Sequence, residues 1–347
     1  MRLLILAVIL FFLSITLNAQ SFSIKGQIWG SSESIVDPSD IMSQLGYIPT
    51  FSTYYEWPRG KMIDLEYAYH LQRTYNGSSL VEEHQKLYRG WLRYSTHSIE
   101  ARLGLQKVSF GPAQVLRPLA WFDTIDPKSP MNQTDGVEAF RLKVYPSNSL
   151  AFWAWIMKGE SDTLSWGGRG ELSTNLGEWG FTLHQDPTKA SQNVGQSPVL
   201  TSGSHYQFGV DYRYDGLIGF WFEGAGFVVD NQNMFNEDRF SLLTLGADYT
   251  LPLGGGLLIM SETLRKNGWS SNNDSHSNQI ISVLMASLPI GMIHNVIIIS
   301  TLDWDENRIY NYLRWGSTYD RFSYNFMAST NPSSEGNSLH LMLIYNH

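Results

Sequence analysis

The stretch MIDLEYAYHLQ, residues 62–72, alternates apolar and polar side chains along its whole length. A period of two is the pattern of a β-strand whose two faces meet different surroundings. The apolar face must meet a protein core or lipid, and the polar face must meet water. The apolar residues are Ile63, Leu65, Tyr67, Tyr69 and Leu71, and the polar ones are Asp64, Glu66, His70 and Gln72.

Strand-like segments of this kind recur from end to end of the chain, and we count about 18 of them, within a range of roughly 16 to 18. Long connections, such as residues 31–46, 73–85 and 109–136, alternate with tight turns such as WPRG and PSN. This order is typical of a transmembrane barrel with short periplasmic turns and long extracellular loops. A large soluble sandwich is the alternative, but it gives no reason to sort connections by length.

The sequence therefore predicts an all-β fold, an antiparallel transmembrane β-barrel. Residues 20–347 are expected to form this barrel as a single domain, with both ends of the domain on the turn side. Residues 1–19 resemble a signal peptide, because Arg2 precedes the apolar run Leu3–Leu17 and Leu17-Asn18-Ala19 fits a cleavage site. We expect export to a Gram-negative outer membrane, with its lipid as a partner.

Composition narrows the function classes. Charged residues are 16% of the chain, below the usual value of about 25%, and aromatic residues are 14%. The net charge of −8 and the absence of a basic cluster predict no nucleic-acid partner. There is no cysteine, and the nine histidines show no metal-ligand spacing. We therefore expect no metal, no cofactor, no catalytic residues and no enzymatic activity.

The polar faces of the predicted strands supply candidate pore-lining residues. Tyr88, Leu92 and Tyr94 are expected on the outer face of their strand, opposite the candidates. The basic candidates are Arg89, Arg93, Arg102, Arg141, Lys143 and Arg169, and the acidic or polar ones are Asp64, Glu66, His70, Glu100 and Gln106.

The longest connection, residues 109–136, is the best candidate for a loop that folds into the lumen and constricts it. Its four prolines would stiffen it. Asp123 and Asp126 could oppose the lumen arginines, which would set selectivity. The alternative is an electrostatic lock across the lumen with no part in solute passage.

The segment IISVLMASLPIGMIHNVIIIS, residues 280–300, is apolar on both faces. A strand that separates lipid from water would alternate instead. Its inward face is therefore expected to meet a plug or loop inside the barrel, or its outer face a neighbouring subunit.

Residues 102–146, RLGLQKVSFGPAQVLRPLAWFDTIDP…GVEAFRLKVYP, resemble a pattern of Gram-negative outer-membrane porin-like and alginate-export-like barrels. In those families a strand reading R-x-G-R-Q leads into a loop with P-x-D-x-F-x-P and then into G-V-D-A-x-R. Here Leu105 replaces the second arginine and Glu138 the aspartate. The resemblance implies a barrel of the porin kind, and it does not imply a particular solute.

Two functions follow as expectations. The first is a porin-like channel for passive or substrate-selective passage of small hydrophilic solutes, with saccharides as one class. The alternative is a plugged structural or assembly barrel that helps to export surface polysaccharide or protein without an open pore. Assembly into a homo-oligomer is left open by the sequence.

Overall fold

The computed structural model describes residues 21–36, 39–159, 162–188, 191–193, 200–229, 239–270, 275–331 and 336–347. The proposed signal peptide, residues 1–19, therefore lies outside the described residues. The strands are β1 (Ser21–Val36), β2 (Ser39–Trp57), β3 (Lys61–Asn76), β4 (Ser79–Ser95), β5 (Ile99–Gln106), β6 (Val137–Ser147), β7 (Leu150–Lys158), β8 (Leu164–Thr174), β9 (Gly177–Asp186), β10 (Ser191–Asn193), β11 (Leu200–Ser202), β12 (His205–Tyr214), β13 (Gly219–Val229), β14 (Arg239–Leu251), β15 (Leu257–Ser270), β16 (Ser275–Ile290), β17 (His294–Asp303), β18 (Arg308–Thr318), β19 (Phe322–Thr330) and β20 (Ser338–Asn346).

Eighteen of these strands form one closed antiparallel barrel. Each strand pairs with its neighbours in the chain, β9 pairs with β12 across the small β10–β11 sheet, and β20 pairs with β1 to close the circle. The predicted barrel and its strand count are confirmed. Ser21 and Asn346 lie at the same end, which we call the turn end because the tight turns at 58–60, 148–149 and 175–176 lie there. The opposite end is the loop end.

Two of the predicted long connections, residues 31–46 and 73–85, are wrong as loops. Residues 31–46 continue the β1–β2 ladder, with Ser31 opposite Gln44 and Ser34 opposite Ile41. Residues 73–85 likewise extend the β3–β4 ladder as far as Asn76 opposite Ser79. These polar segments resemble loops in sequence because polar side chains occupy much of the ladder there, so the two-sided pattern of the spanning part is lost.

The two faces of the wall differ as the alternation predicts. On β9, Phe181 and Leu183 are exposed on the outside, whereas Thr182 and His184 are buried inside. On the opening strand, Tyr67 faces outward and Ala68 is buried in the lumen. Within the described part of the chain no helix is long and apolar enough to cross a membrane.

Tyr88 corrects one face assignment. Ala68 pairs with Arg89, but the next residue Tyr69 pairs with Leu87, so Tyr88 is an extra residue in a β-bulge. A bulge re-aims the side chains around it. The Tyr88 hydroxyl therefore accepts a hydrogen bond from the backbone N–H of Thr134, inside the lumen rather than outside it.

Residues 107–136, the connection between β5 and β6, lie inside the barrel and supply much of its core. We call this segment the lumen loop. Val108 and Leu119 pack with wall residues of β7 and β13–β15, and Ala113 lies in a second cluster with Val283 and Ile299. The segment that is apolar on both faces thus meets a loop on its inward side, which confirms the first of the two readings given for it.

Candidate functional site

Glu262 on β15 holds the lumen loop by accepting hydrogen bonds from consecutive backbone N–H groups. Its carboxylate is 2.7 Å from the nitrogen of Gln114, 3.0 Å from that of Val115 and 2.7 Å from that of Leu116. Successive N–H groups that converge in this way form an anion-binding concavity. The Trp221 indole donates a further bond at 3.2 Å, so this buried carboxylate is fully partnered.

Glu223 on β13 makes a second anchor of the same kind. It accepts from the N–H of Ala113 at 3.0 Å and from that of Leu119 at 2.5 Å. Gly111 has a φ of 90°, and a Cβ at this position would collide with the Glu223 carboxylate. The glycine therefore lets the backbone approach the carboxylate closely and adopt a left-handed conformation.

A buried ion pair inside the loop fixes its next segment. Arg117 and Asp123 pair through both guanidinium nitrogens, and the side chains are 5% and 0% exposed. The expected opposition of Asp123 to the wall arginines is therefore wrong. Asp126 accepts from the backbone N–H of Lys128 at 2.9 Å within its own turn, and among the described residues it forms no ion pair with a wall arginine.

The rest of the loop crosses the lumen to the opposite wall. The Lys128 carbonyl accepts bonds from the Tyr312 hydroxyl at 2.6 Å and from Arg314 at 3.2 Å, both on β18. Pro130 lines two cavities, one of about 340 Å³ with Tyr312 and His340, the other of about 480 Å³ with Arg314 and Asn325. The loop segment from Asp126 to Met131 thus lies between these two cavities, the first toward the loop end of the barrel and the second toward the turn end.

The predicted basic residues of β4, β5 and β6 form a row at the turn end. Register places Arg93 opposite Arg102, and Arg102 opposite Arg141. Carboxylates intervene: Arg93 binds Asp64 at 2.6 Å, and Glu100 lies 3.0 Å from Arg141 and 3.4 Å from Arg93. The row can hold several cations close together because these carboxylates offset their repulsion.

Aromatic rings and further carboxylates extend the row to β12. The Arg102 guanidinium lies 4.4 Å from the centre of the Trp91 ring, and the Lys143 ammonium lies 3.1 Å from that of Trp153. Such contacts stabilise a cation at the edge of water. Farther round, Arg169 binds Asp211 at 2.6 Å and Glu171 at 2.8 Å. We call the inner face of β3–β9 and β12 the charged wall.

The remaining predicted residues lie away from this row or beneath the loop. Arg89 is buried and donates to the carbonyl of Thr134 at 2.7 Å, so it supports the returning end of the loop. Gln106 is buried and donates to the carbonyl of Ala139 at 2.9 Å. His70 packs between the rings of Trp29 and Tyr88, and Glu66 lies beside Trp91 in the register of β3 and β4.

Sequence reasoning missed the two loop anchors. The signal is faint: in FWFEGAG and LLIMSETL a single glutamate occupies an inward position of an otherwise apolar strand. A buried carboxylate needs partners, so such a residue indicates a donor set brought from elsewhere in the chain. That donor set here is the backbone of GPAQVLRPL.

Known structures share this architecture. OpdK of Pseudomonas aeruginosa, solved with vanillate, superimposes with a TM-score of 0.65 at 10% identity, covering 94% of this chain and 98% of that chain. OccK5 (OpdH) of the same organism gives a TM-score of 0.63 at 9% identity, with coverage of 94% and 97%. OmpF of Salmonella typhi, in complex with daunomycin, gives 0.56 at 9%, with coverage of 95% and 98%.

This chain has the fold of a Gram-negative outer-membrane porin. No protein-family model matches the sequence, and no curated protein matches it either. At these identities the structural likeness shows the porin fold alone, so the function must be argued from the side chains inside this barrel.

Proposed function

We propose that this protein is an outer-membrane channel for the passive passage of small hydrophilic solutes. Its leader, residues 1–19, would direct export. The barrel would place the apolar outer face in lipid and the charged wall in a water-filled lumen. The porin fold supports this proposal, because the structures that share it come from outer membranes.

One observation carries the proposal: ionised side chains of the charged wall stay in contact with water, although they lie inside the barrel. The side chains of Arg93, Asp64 and Glu100 are 24%, 14% and 16% exposed. Glu171 and Arg213, farther round, are 33% and 31% exposed. A lumen filled only for stability would bury such groups or replace them with apolar ones.

The lumen loop acts as the constriction in this proposal. Glu223 and Glu262 hold it against β13 and β15, away from Arg93 and Glu100 on the far side of the barrel. Solutes would pass between the loop and the water-exposed side chains, where hydrogen bonding and charge decide what enters. Amide, hydroxyl and charged groups suit hydrated solutes, and saccharides are one class that we include.

A liposome-swelling assay tests the proposal. Refolded mature protein is reconstituted into vesicles, and swelling is followed in isotonic solutions of neutral sugars of increasing size. A channel predicts rapid swelling with the smallest sugars and a cut-off as size increases. Folded, inserted protein that gives no swelling with any sugar or with small ions would contradict a channel and favour the plugged assembly barrel.

A further inference from the structure

The cavity of about 340 Å³ toward the loop end, which we call the loop-end cavity, is lined by three methionines and a histidine. Met327 lies on β19, Met342 and His340 lie on β20, and Met131 lies on the lumen loop. Met327 and Met342 are only 4% and 6% exposed. Three thioether sulfurs and one imidazole therefore line one small space inside the barrel.

The register of β19 and β20 brings the wall residues of this group together. Met327 lies directly opposite His340, so both side chains point to the same face of the wall. Met342 is two residues after His340 and shares that face. Directly opposite Cβ atoms are about 5 Å apart, a separation that a single metal ion can bridge between side chains of this length.

The lumen loop brings Met131 to the same cavity. The Gln133 amide lies 3.4 Å from the Met131 sulfur, and the nearby Lys128 carbonyl accepts a hydrogen bond from Tyr312 at 2.6 Å. These contacts fix the loop beside the wall. A thioether sulfur has two lone pairs, so the bond from Gln133 leaves one of them for a second partner.

His340 supplies the observation that packing alone does not explain. Its Nε2 atom is buried and has no hydrogen-bond partner among the described residues. A buried polar atom without a partner is unfavourable, and a neutral imidazole nitrogen is a common metal ligand. Methionine often fills irregular gaps in a core, but gap filling accounts neither for the unpartnered nitrogen nor for the cavity beside the sulfurs.

The charges around the loop-end cavity favour a cation. Glu33, which lies opposite His340 in the register of β1 and β20, lines the cavity together with Asp126. Lys128 lines it as well. These three ionised groups leave one net negative charge, which a monovalent cation would neutralise.

We propose that the loop-end cavity binds a soft monovalent metal cation, Cu⁺, through the sulfurs of Met131, Met327 and Met342 and through the Nε2 atom of His340. Thioether ligands select Cu⁺, whereas Zn²⁺ prefers thiolate, imidazole and carboxylate, and Ca²⁺ and Mg²⁺ prefer oxygen. The expectation of no metal was made from cysteine content and histidine spacing, and it did not take methionine into account.

Silver ion is the probe, because Ag⁺ has the same charge and ligand preference as Cu⁺ and needs no reductant. Refolded protein in detergent and chloride-free buffer is titrated with silver nitrate by isothermal titration calorimetry. The test variant is Met327→Leu with Met342→Leu. The matched control is Met157→Leu with Met260→Leu, two buried methionines that do not line this cavity. Leucine is close to methionine in volume, so all three proteins should fold, which heat-modifiable migration checks.

We expect one equivalent of Ag⁺ to bind the parent and the control alike. The affinity of the test variant should fall by at least about tenfold, a loss that removing even the outer partners of a metal ligand can produce. A parent that does not bind Ag⁺, or a test variant that binds it as tightly as the parent, would overturn the proposal. So would an equal loss in the control, or Zn²⁺ binding to the parent as tightly as Ag⁺.

A second measurement locates the ion without relying on affinity. Isotope-labelled methionine methyl groups are followed by NMR as Ag⁺ is added, with assignments from single Met→Leu variants. The methyl resonances of Met131, Met327 and Met342 should shift at one equivalent, and those of Met157 and Met260 should not. Shifts confined to other methionines would contradict the site. Neither measurement requires conductance, so failure of this proposal and failure of the proposed channel are distinguishable.

Discussion

Carboxylates on two walls of this barrel have different partners. Glu223 and Glu262, on β13 and β15, are fully buried and accept hydrogen bonds mainly from backbone N–H groups of the lumen loop. Asp64 and Glu100, at the charged wall, remain partly exposed and pair with arginines. The same chemical group therefore fixes a loop in one place and faces water in the other.

Backbone N–H groups and arginine side chains differ in how freely they can leave a carboxylate. A backbone N–H cannot swing away on a flexible side chain, so a carboxylate that binds three of them fixes the position of the segment. An arginine on the partly exposed charged wall can exchange its carboxylate for water or for a passing ion, because contact with water weakens an ion pair. We therefore expect Glu223 and Glu262 to set the position of the lumen loop, and the charged wall to set the selectivity of the proposed channel.

The largest effect is expected from removing both anchors, Glu223→Ala with Glu262→Ala. Five backbone N–H groups would lose their side-chain acceptor, and we expect the free energy of unfolding to fall by roughly 3–5 kcal/mol. Urea unfolding measures this, and limited trypsin digestion should cut faster after Lys128, which precedes Ser129. The control is Glu138→Ala on the exposed outer face of β6. Digestion as slow as in the parent would show that other contacts hold the loop.

A smaller loss in the free energy of unfolding is expected when the buried Arg117–Asp123 ion pair inside the loop is broken. Asp123→Ala leaves the Arg117 guanidinium buried without its carboxylate, which destabilises by roughly 3 kcal/mol. Arg117→Met with Asp123→Leu removes both charges and should lose less, measured by the same urea unfolding. If the double variant is as unstable as the single one, the pair contributes through more than mutual charge compensation.

Neutralising the charged wall should change selectivity more than stability. Arg93→Gln, Arg102→Gln and Arg141→Gln together remove three cations that face the lumen, which should shift the cation-to-anion permeability ratio toward cations about fivefold, equivalent to about 1 kcal/mol. The reversal potential in a salt gradient measures this ratio. Arg265→Gln, on the exposed outer face of β15, is the control. An unchanged ratio would place the ion path elsewhere.

The smallest effect is expected at the far contact of the loop. Tyr312→Phe removes the hydroxyl that binds the Lys128 carbonyl, a loss of about 1 kcal/mol. Residues 126–131 of the lumen loop, which lie between the two cavities, should then fluctuate more. We therefore expect higher open-channel current noise, with a mean conductance within about twofold of the parent. Tyr324→Phe, on the outer face of β19, serves as the control. Noise equal to that of the parent would mean that this bond does not restrain the segment.

Much of the fold could be predicted from sequence because alternation along each strand is a local property. The strand count and the inward residues of β5 follow from it, whereas the lumen loop was predicted from the length of its connection. The inward turn of Tyr88 could not, because a bulge depends on the register between two strands. Residues 31–46 of the β1–β2 hairpin were wrongly predicted to be a loop, because polar residues occupy much of the strand ladder there.

The anchors were missed for a different reason. An inward glutamate has the same pattern in sequence whether it faces water or a loop, so Glu223 resembles Glu100 until the loop is placed. For Asp123 the predicted partner was wrong. Its position in the loop suggested the wall arginines, but it pairs with Arg117, six residues away in the same loop. The partners of Glu223 and Asp123 depend on how the folded loop packs inside the barrel, which the pattern of a single sequence does not reveal.

Single-channel recording in a planar bilayer tests the central claim most directly, with the parent and the Glu223→Ala, Glu262→Ala variant compared under the same salt. We predict steady, stepwise conductance for the parent and an unstable or altered conductance for the variant, because its loop is no longer held to β13 and β15. Parent protein that is folded and inserted but silent would contradict the channel. Identical, steady records from both proteins would contradict the role of the anchored loop as the constriction.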